Sequence, residues 1–254
     1  MRKTANIHLM GGLGNQLFQI NFGYYLIKKY NFKINFNSYL CEKNYFTNYL
    51  LRWKIHNFNC VNIFDNFYPY SKDNIIPALA SRIKNKKYSY FSKYKWPNSF
   101  YRNYFGYFQS KKNLYKIWFK NELIIRKDLF NTRLDPNVIT VHIRLTDSET
   151  INENINYYNK ILDKYKNQNL RVITDDTQTT KVLLNKHGIN NIKLTSNTAL
   201  EDFTVLLNSE IIAIAPSTFS WWGAMLSDSI KKVIISKQLY DKLGFNKKIE
   251  MDIV

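Results

Sequence analysis

The chain has 254 residues, 45 % of them hydrophobic, and a formal net charge of +18. That length holds one large domain or two small ones, and that apolar share excludes a disordered chain. No stretch approaches the roughly 18 apolar residues of a membrane span, and Met1 to Met10 has a basic start without the apolar core of a signal peptide.

Chain order begins with a predicted strand at Asn6–Met10 that ends in Gly11-Gly12-Leu13-Gly14-Asn15-Gln16. Leu17, Ile20, Tyr24 and Ile27 recur at helical spacing, and a second strand follows at Lys33–Phe36. A strand, a loop, a helix and a strand in that order imply a parallel pair with a crossover helix. From Asn44 to Lys120 the chain is rich in Tyr, Asn and Lys, and short helices are expected. Asn131 to Asn137, with Asp135-Pro136, reads as a boundary. It divides the chain into lobes of residues 1–130 and 131–254.

The second half alternates strand and helix. Strands are predicted at Val138–Ile143, Leu170–Thr174, Ile192–Leu194, Glu210–Ala215 and Val233–Ile235, the last of the chain. Helices are predicted around Tyr158, Leu162 and Tyr165, from Thr177 to His187, around Leu200, Phe203 and Leu207, and over Ser220–Ser227. This alternation predicts a doubly wound α/β fold with parallel sheets.

Charge is unevenly placed. Residues 1–130 hold 22 Lys and Arg against 5 Asp and Glu, whereas residues 131–254 hold 15 against 14. The basic runs Lys84–Lys87, Lys93–Lys95 and Lys111-Lys112 lie among aromatic residues. A solvated surface, a nucleic-acid patch and a face held to an anionic membrane all fit such a lobe. Cys41 and Cys60 lack metal-ligand spacing and are too few for a disulfide framework, which points to a reducing cytosol.

Three segments carry candidate chemistry. The glycine loop is not a dinucleotide fingerprint, because Leu17 takes the third glycine position and Glu42 is the only acid in the first 60 residues. No Gly-Lys-Ser/Thr follows, so it is not a phosphate-binding Walker loop either. It is a tight turn that either presents the amides of Asn15 and Gln16 to a ligand or serves packing alone. Val141-His142-Ile143-Arg144 brings an arginine to a strand's carboxyl end, where open α/β sheets bind ligands. His142 there is either a ligand contact or a packed core histidine. Ser217-Thr218-Phe219-Ser220, between a buried strand and a helix, makes either an anion site or an ordinary N-cap. Asp175-Asp176 ends a strand and either caps the next helix or accepts hydrogen bonds from a base or ribose. No Asp-x-Asp and no zinc spacing occurs, so no metal is invoked.

Together these segments resemble the inverting α-1,2-fucosyltransferases of glycosyltransferase family 11. The carriers are Gly11 to Gln19, Val141-His142-Ile143-Arg144 with Asp147, Ile173-Thr174-Asp175-Asp176, and Ser217 to Ala224. The resemblance implies a GT-B fold, two Rossmann-like lobes with a cleft between them. Residues 1–130 would be the acceptor-side lobe and 131–254 the GDP-sugar-binding lobe. It implies GDP-β-L-fucose as donor, no metal or other cofactor, and a terminal galactose-type sugar of a surface glycan (O-antigen, lipooligosaccharide or capsule) as acceptor. His142, Arg144, Asp175, Asp176, Ser217, Thr218 and Phe219 would hold the donor. Gly12, Gly14, Asn15 and Gln16 would face the donor sugar or acceptor. Arg144 would stabilise the departing diphosphate, and Asp147, or else Glu149, would act as base.

One departure stands out. The family pattern is similar to His-x-Arg-Arg-x-Asp, and Leu145 occupies the second arginine position. A leucine cannot make a charge-assisted contact. The donor is then held by one arginine, or is another GDP-deoxysugar, or turns over weakly. The reading from a different class is a basic nucleic-acid-binding protein. The expected location is the cytosol, with attachment of the basic lobe to the inner face of a bacterial membrane.

Overall fold

The computed structural model describes residues 3–41, 60–70, 88–91, 103–109, 116–146, 151–190, 192, 194 and 197–254. Two compact units divide the chain, Met1–Arg126 and Lys127–Val254.

In the first unit, strand β1 (Thr4–His8) is followed by helix α1 (Leu13–Tyr30) and strand β2 (Lys33–Asn37). β1 and β2 pair in parallel from Thr4↔Lys33 to His8↔Asn37, the crossover that the apolar spacing predicts. α1 ends where Asn31 adopts a left-handed conformation (φ 54°), with Lys28 and Lys29 in the last turn against the negative end of the helix dipole. Most of residues 44–120, where short helices are expected, lies outside the described residues. Beyond a short 3₁₀ turn at Cys60–Ile63, the described part contains strands β3 (Tyr88–Phe91) and β4 (Asn103–Gly106). All four strands are parallel, in the order β2-β1-β4-β3. The basic runs at 84–87, 93–95 and 111–112 lie outside the described residues.

The second unit holds β5 (Ile139–Ile143), α2 (Ile151–Tyr165), β6 (Leu170–Thr174), α3 (Thr177–Lys186), α4 (Ala199–Asn208), β7 (Ile211–Ala213), α5 (Thr218–Leu226), β8 (Lys232–Ile235), α6 (Lys237–Leu243) and β9 (Glu250–Ile253). Its sheet is parallel throughout, in the order β6-β5-β7-β8-β9. β9 was not expected. It is a mostly exposed edge strand paired in parallel with β8 and flanked by the Lys232–Glu250 and Lys164–Asp252 ion pairs, and it lacks the apolar run that marks a central strand. The strand expected at 192–194 is not formed at Ile192 or Leu194, and Lys193 lies outside the described residues.

The two faces of β5 divide by parity. Val141 and Ile143 join Tyr158, Ile161 and Leu162 of α2 in one core, while the Thr140 hydroxyl bonds Ser209 on the other face at 2.7 Å. Trp221 and Trp222 of α5 are fully buried and perpendicular, 5.0 Å between ring centroids, as core residues. α5 packs closely on α4 because position 223 is glycine: a Cβ there would lie 2.6 Å from the Leu206 Cβ. No helix among the described residues is long and apolar enough to cross a membrane.

Candidate functional site

β5 has β6 on one side and β7 on the other. The chain leaves β5 in one direction and later returns to its opposite side. The carboxyl ends of β5 and β7 therefore flank a topological switch point, where open α/β sheets place a ligand crevice. Arg144 follows β5 directly, and the first turn of α5 follows β7.

Arg144 is held from two directions. The Tyr158 hydroxyl of α2 lies 3.0 Å from the Arg144 N–H, which donates to it, and 3.4 Å from the Arg144 carbonyl. Asp175, just past β6, stands 3.8 Å from the guanidinium. The same carboxylate accepts the Leu145 N–H at 2.8 Å and the Thr146 hydroxyl at 2.6 Å. Asp175 thus shapes the turn that carries Arg144 and shares its charge across that turn. The neighbouring Tyr157 donates its hydroxyl to the Ile214 carbonyl at 2.8 Å, fixing the end of β7 from the same helix. Tyr158 was expected only on the inner face of a helix, and Tyr157 was not singled out. A hydroxyl on a buried face is the signal that such bonds exist.

His142 lies beneath this edge, 4 % exposed. Its ring is 5.6 Å from that of Phe219 in the first turn of α5, and Phe219 in turn packs on Phe203 of α4 at 5.3 Å. Burial and the nearby Arg144 charge lower its pKa to about 4, opposed by Asp175. The imidazole is therefore neutral at neutral pH. Its Nδ1 is buried with no hydrogen-bond partner among the described residues. Ser220 Oγ in the same first turn is buried in the same condition.

Ser217 caps α5: its hydroxyl accepts the Phe219 N–H at 3.2 Å. The capping reading of this segment is thereby met, and the positive end of the helix dipole still arrives at the switch point. Asp176 is also a cap. It accepts the Thr179 N–H at 3.0 Å and the Thr179 hydroxyl at 2.6 Å, which hold its carboxyl below the usual range. Asp147 and Glu149, the candidate bases, lie outside the described residues.

Leu145 changes meaning in the structure. It is 4 % exposed and continues the parity of Val141 and Ile143 into the core against α2. The side chain at this position faces the packed interior, so a leucine satisfies it. Arg144, on the opposite parity with His142, supplies the cation at this strand end.

In the first unit the glycine loop closes the carboxyl end of β1. Gly11 has φ +77°, and a Cβ there would lie 2.8 Å from the Asn15 amide nitrogen, so glycine is required. Gly12 is the N-cap of α1 and its carbonyl accepts the Asn15 and Gln16 N–H groups; Gly14 is buried in the first turn. Gln16 is fully buried and its amide donates to the Gly11 carbonyl at 2.8 Å, bracing the turn. Asn15 is half-buried and accepts from Gln109 at 2.8 Å. Gln19 completes the brace by bonding Met10 and Gly106.

A doubly wound parallel sheet with an arginine and a helix amino end at its switch point is a site of the class that holds an anionic nucleotide. The chain belongs to glycosyl transferase family 11, whose model matches residues 73–252. A search of curated protein sequences finds no match. Among solved structures it is similar to the selenomethionine form of the fucosyltransferase NodZ from Bradyrhizobium, with TM-score 0.50 and 11 % identity over 89 % of this chain and 92 % of that one. A second structure of Bradyrhizobium NodZ gives 0.49 and 10 %, covering 89 % and 94 % of the two chains. NodZ alpha-1,6-fucosyltransferase soaked with GDP-fucose gives 0.49 and 10 %, covering 93 % and 96 %. The fold is of the GT-B type, two Rossmann-like lobes with parallel sheets.

Proposed function

We propose that the protein is an inverting fucosyltransferase that moves L-fucose from GDP-β-L-fucose to the 2-hydroxyl of a terminal galactose-type sugar on a surface glycan. Family membership supports the transferase class, and the fold neighbour at TM-score 0.50 is itself named a fucosyltransferase. The observation that carries the reading is Arg144, fixed by Tyr158 and Asp175 at the switch point. Charge grows on the β-phosphate as the glycosidic bond lengthens, and a preorganised guanidinium beside a helix amino end stabilises that charge without reorganising. No metal or cofactor is assigned to this step.

The neutral, buried His142 is suited to donating or accepting one hydrogen bond at the floor of the site and not to carrying charge. Asp175 would act on the donor mainly through Arg144. The acceptor hydroxyl loses its proton to Asp147, or else to Glu149, as fucose is captured from the opposite face. Asn15 and the glycine turn of the first unit would face the acceptor. The protein would work in the cytosol with its basic unit against the inner leaflet, on a lipid-linked glycan.

The test is transfer from GDP-fucose, and from other GDP-deoxysugars, to oligosaccharides ending in β-galactose, with the product linkage read by NMR. The expected product is α-linked fucose on the galactose 2-hydroxyl. Turnover with another GDP-deoxysugar alone would move the donor assignment, and fucose on a different hydroxyl would move the linkage.

A further inference from the structure

Unit Met1–Arg126 carries 21 Lys and Arg against 4 Asp and Glu. Its described part gathers several of these cations on one face with little compensation. α1 ends in Lys28-Lys29-Tyr30, and the segment Lys116–Ile124 runs along the outside of that helix. Asn21 bonds the Lys116 carbonyl and the Trp118 N–H, Tyr25 packs edge-on to Trp118, and Lys28 pairs with Glu122 farther along. The Lys29 and Lys116 ammonium groups lie 5.8 and 5.1 Å from the centre of the Trp118 ring. Both ammonium groups are within cation–π range of the indole, which holds them at this surface. Lys120 is exposed on the same segment, and Lys33 begins β2 one turn of chain beyond α1.

Apolar tips accompany these cations. Tyr30 is 55 % exposed and Ile124 55 % exposed. Tyr68, 84 % exposed, lies beside Ile124, because its hydroxyl bonds the Asp65 carbonyl while the Asp65 N–H bonds that of Ile124. Asn66 ties this corner to Glu122 and Ile124. Exposed lysines interspersed with tyrosine and isoleucine tips are the composition of a surface that rests in the headgroup layer of an anionic bilayer. A nucleic-acid surface would use the same cations and has no need of Ile124.

We infer that the exposed last turn of α1, Lys28–Tyr30, and the Lys116–Ile124 segment dock on an anionic lipid surface. The inference takes the membrane attachment proposed above and gives it residues; it does not depend on which sugar is transferred. The 18 residues of α1 put roughly 25 Å between its exposed last turn and the glycine turn at its other end, while Asn21, which holds Lys116 and Trp118, is roughly 12 Å from that turn.

The experiment is flotation of the full chain with phosphatidylcholine vesicles, with or without a minority of phosphatidylglycerol, over a salt series. Binding is expected only with phosphatidylglycerol and is expected to fall as salt rises. Each lysine near an anionic leaflet is worth about fivefold in partition, so Lys29→Glu, Lys116→Glu and Lys120→Glu combined should weaken binding about a hundredfold or more. Tyr30→Ser with Ile124→Ser should weaken it severalfold at a salt concentration where the charges are already screened. Both variants should melt as the parent does and transfer fucose to a soluble acceptor at the parent rate. Equal binding to both vesicle types, or no loss on charge reversal, overturns the proposal. So does binding to duplex DNA or RNA at a salt concentration where the vesicles do not bind. If the vesicle results hold and the soluble transfer assay fails, the docking surface stands and the donor assignment falls.

Discussion

Replacing Arg144 by alanine is expected to lower transfer from the GDP-sugar by about a hundredfold to a thousandfold, the usual consequence of removing one preorganised donor from a developing anion. The loss should fall on kcat more than on KM, because the β-phosphate gains charge as the bond to the sugar lengthens. The fold should survive. Arg144 is partly exposed, and its backbone bonds to Tyr158 do not depend on its side chain. Arg144→Lys should recover little of the activity, since a lysine lacks the planar fork and its four-carbon stem aims differently. Steady-state kinetics together with a thermal melt test this. A stable Arg144→Ala enzyme with unchanged kcat would remove the arginine from the chemistry.

Introducing arginine at position 145 is expected to do the opposite of what the family pattern suggests. Leu145 is 4 % exposed and belongs to the same apolar core as Tyr158, Ile161 and Val172. An arginine there places an unpaired charge in an apolar core, at a cost on the order of 3–5 kcal/mol. The melting temperature should fall by on the order of 10 °C, and transfer should not rise. Leu145→Met, which keeps volume and polarity, should cost less than about 1.5 kcal/mol and leave transfer near the parent rate. A Leu145→Arg protein that melts normally and transfers faster would mean that the turn after β5 can present position 145 to the ligand.

The two halves of the chain differed in how much of this was legible beforehand. The second unit was readable because β5, β6, β7 and β8 are short apolar runs separated by helices with one apolar face, and each signal is local. β3 and β4 were not readable. Tyr-Ser-Tyr-Phe and Asn-Tyr-Phe-Gly are four-residue strands with polar members, and they are strands because Asn103 and Tyr104 pair with Asn6 and Ile7 far away in the chain. Asn103 also takes a hydrogen bond from Asn6 and lies 3.2 Å from the buried His8, contacts that no local pattern announces. β9 was missed for the reverse reason: its residues are mostly exposed and form no apolar run, and its place at the sheet edge comes from parallel pairing with β8, with the Lys232–Glu250 ion pair across it.

At the site, the strand-end arginine, the helix cap at Ser217 and the paired aspartates were visible as residue types in context. Their division of labour was not. Asp175 and Asp176 look alike in sequence, yet one faces Arg144 and the other closes its own helix, because the chain turns between them. The role of Leu145 was available from parity alone, since positions 141, 143 and 145 share a face of β5 and its extension. The arginine of the family pattern at this position obscures that parity. The Tyr158 contact needed the structure: helical spacing says which way a side chain faces, and only the packing of α2 on β5 says that its hydroxyl reaches the Arg144 backbone.

On the proposed function, the second unit binds the GDP portion of a donor at the ends of β5 and β7. Calorimetric titration of the full protein with GDP, and with UDP and ADP as controls, tests it most directly. The account predicts saturable binding of GDP, much weaker binding of the other two, and loss of the GDP signal in Arg144→Ala. Indifference among the three nucleotides, or GDP binding that survives Arg144→Ala undiminished, would contradict it.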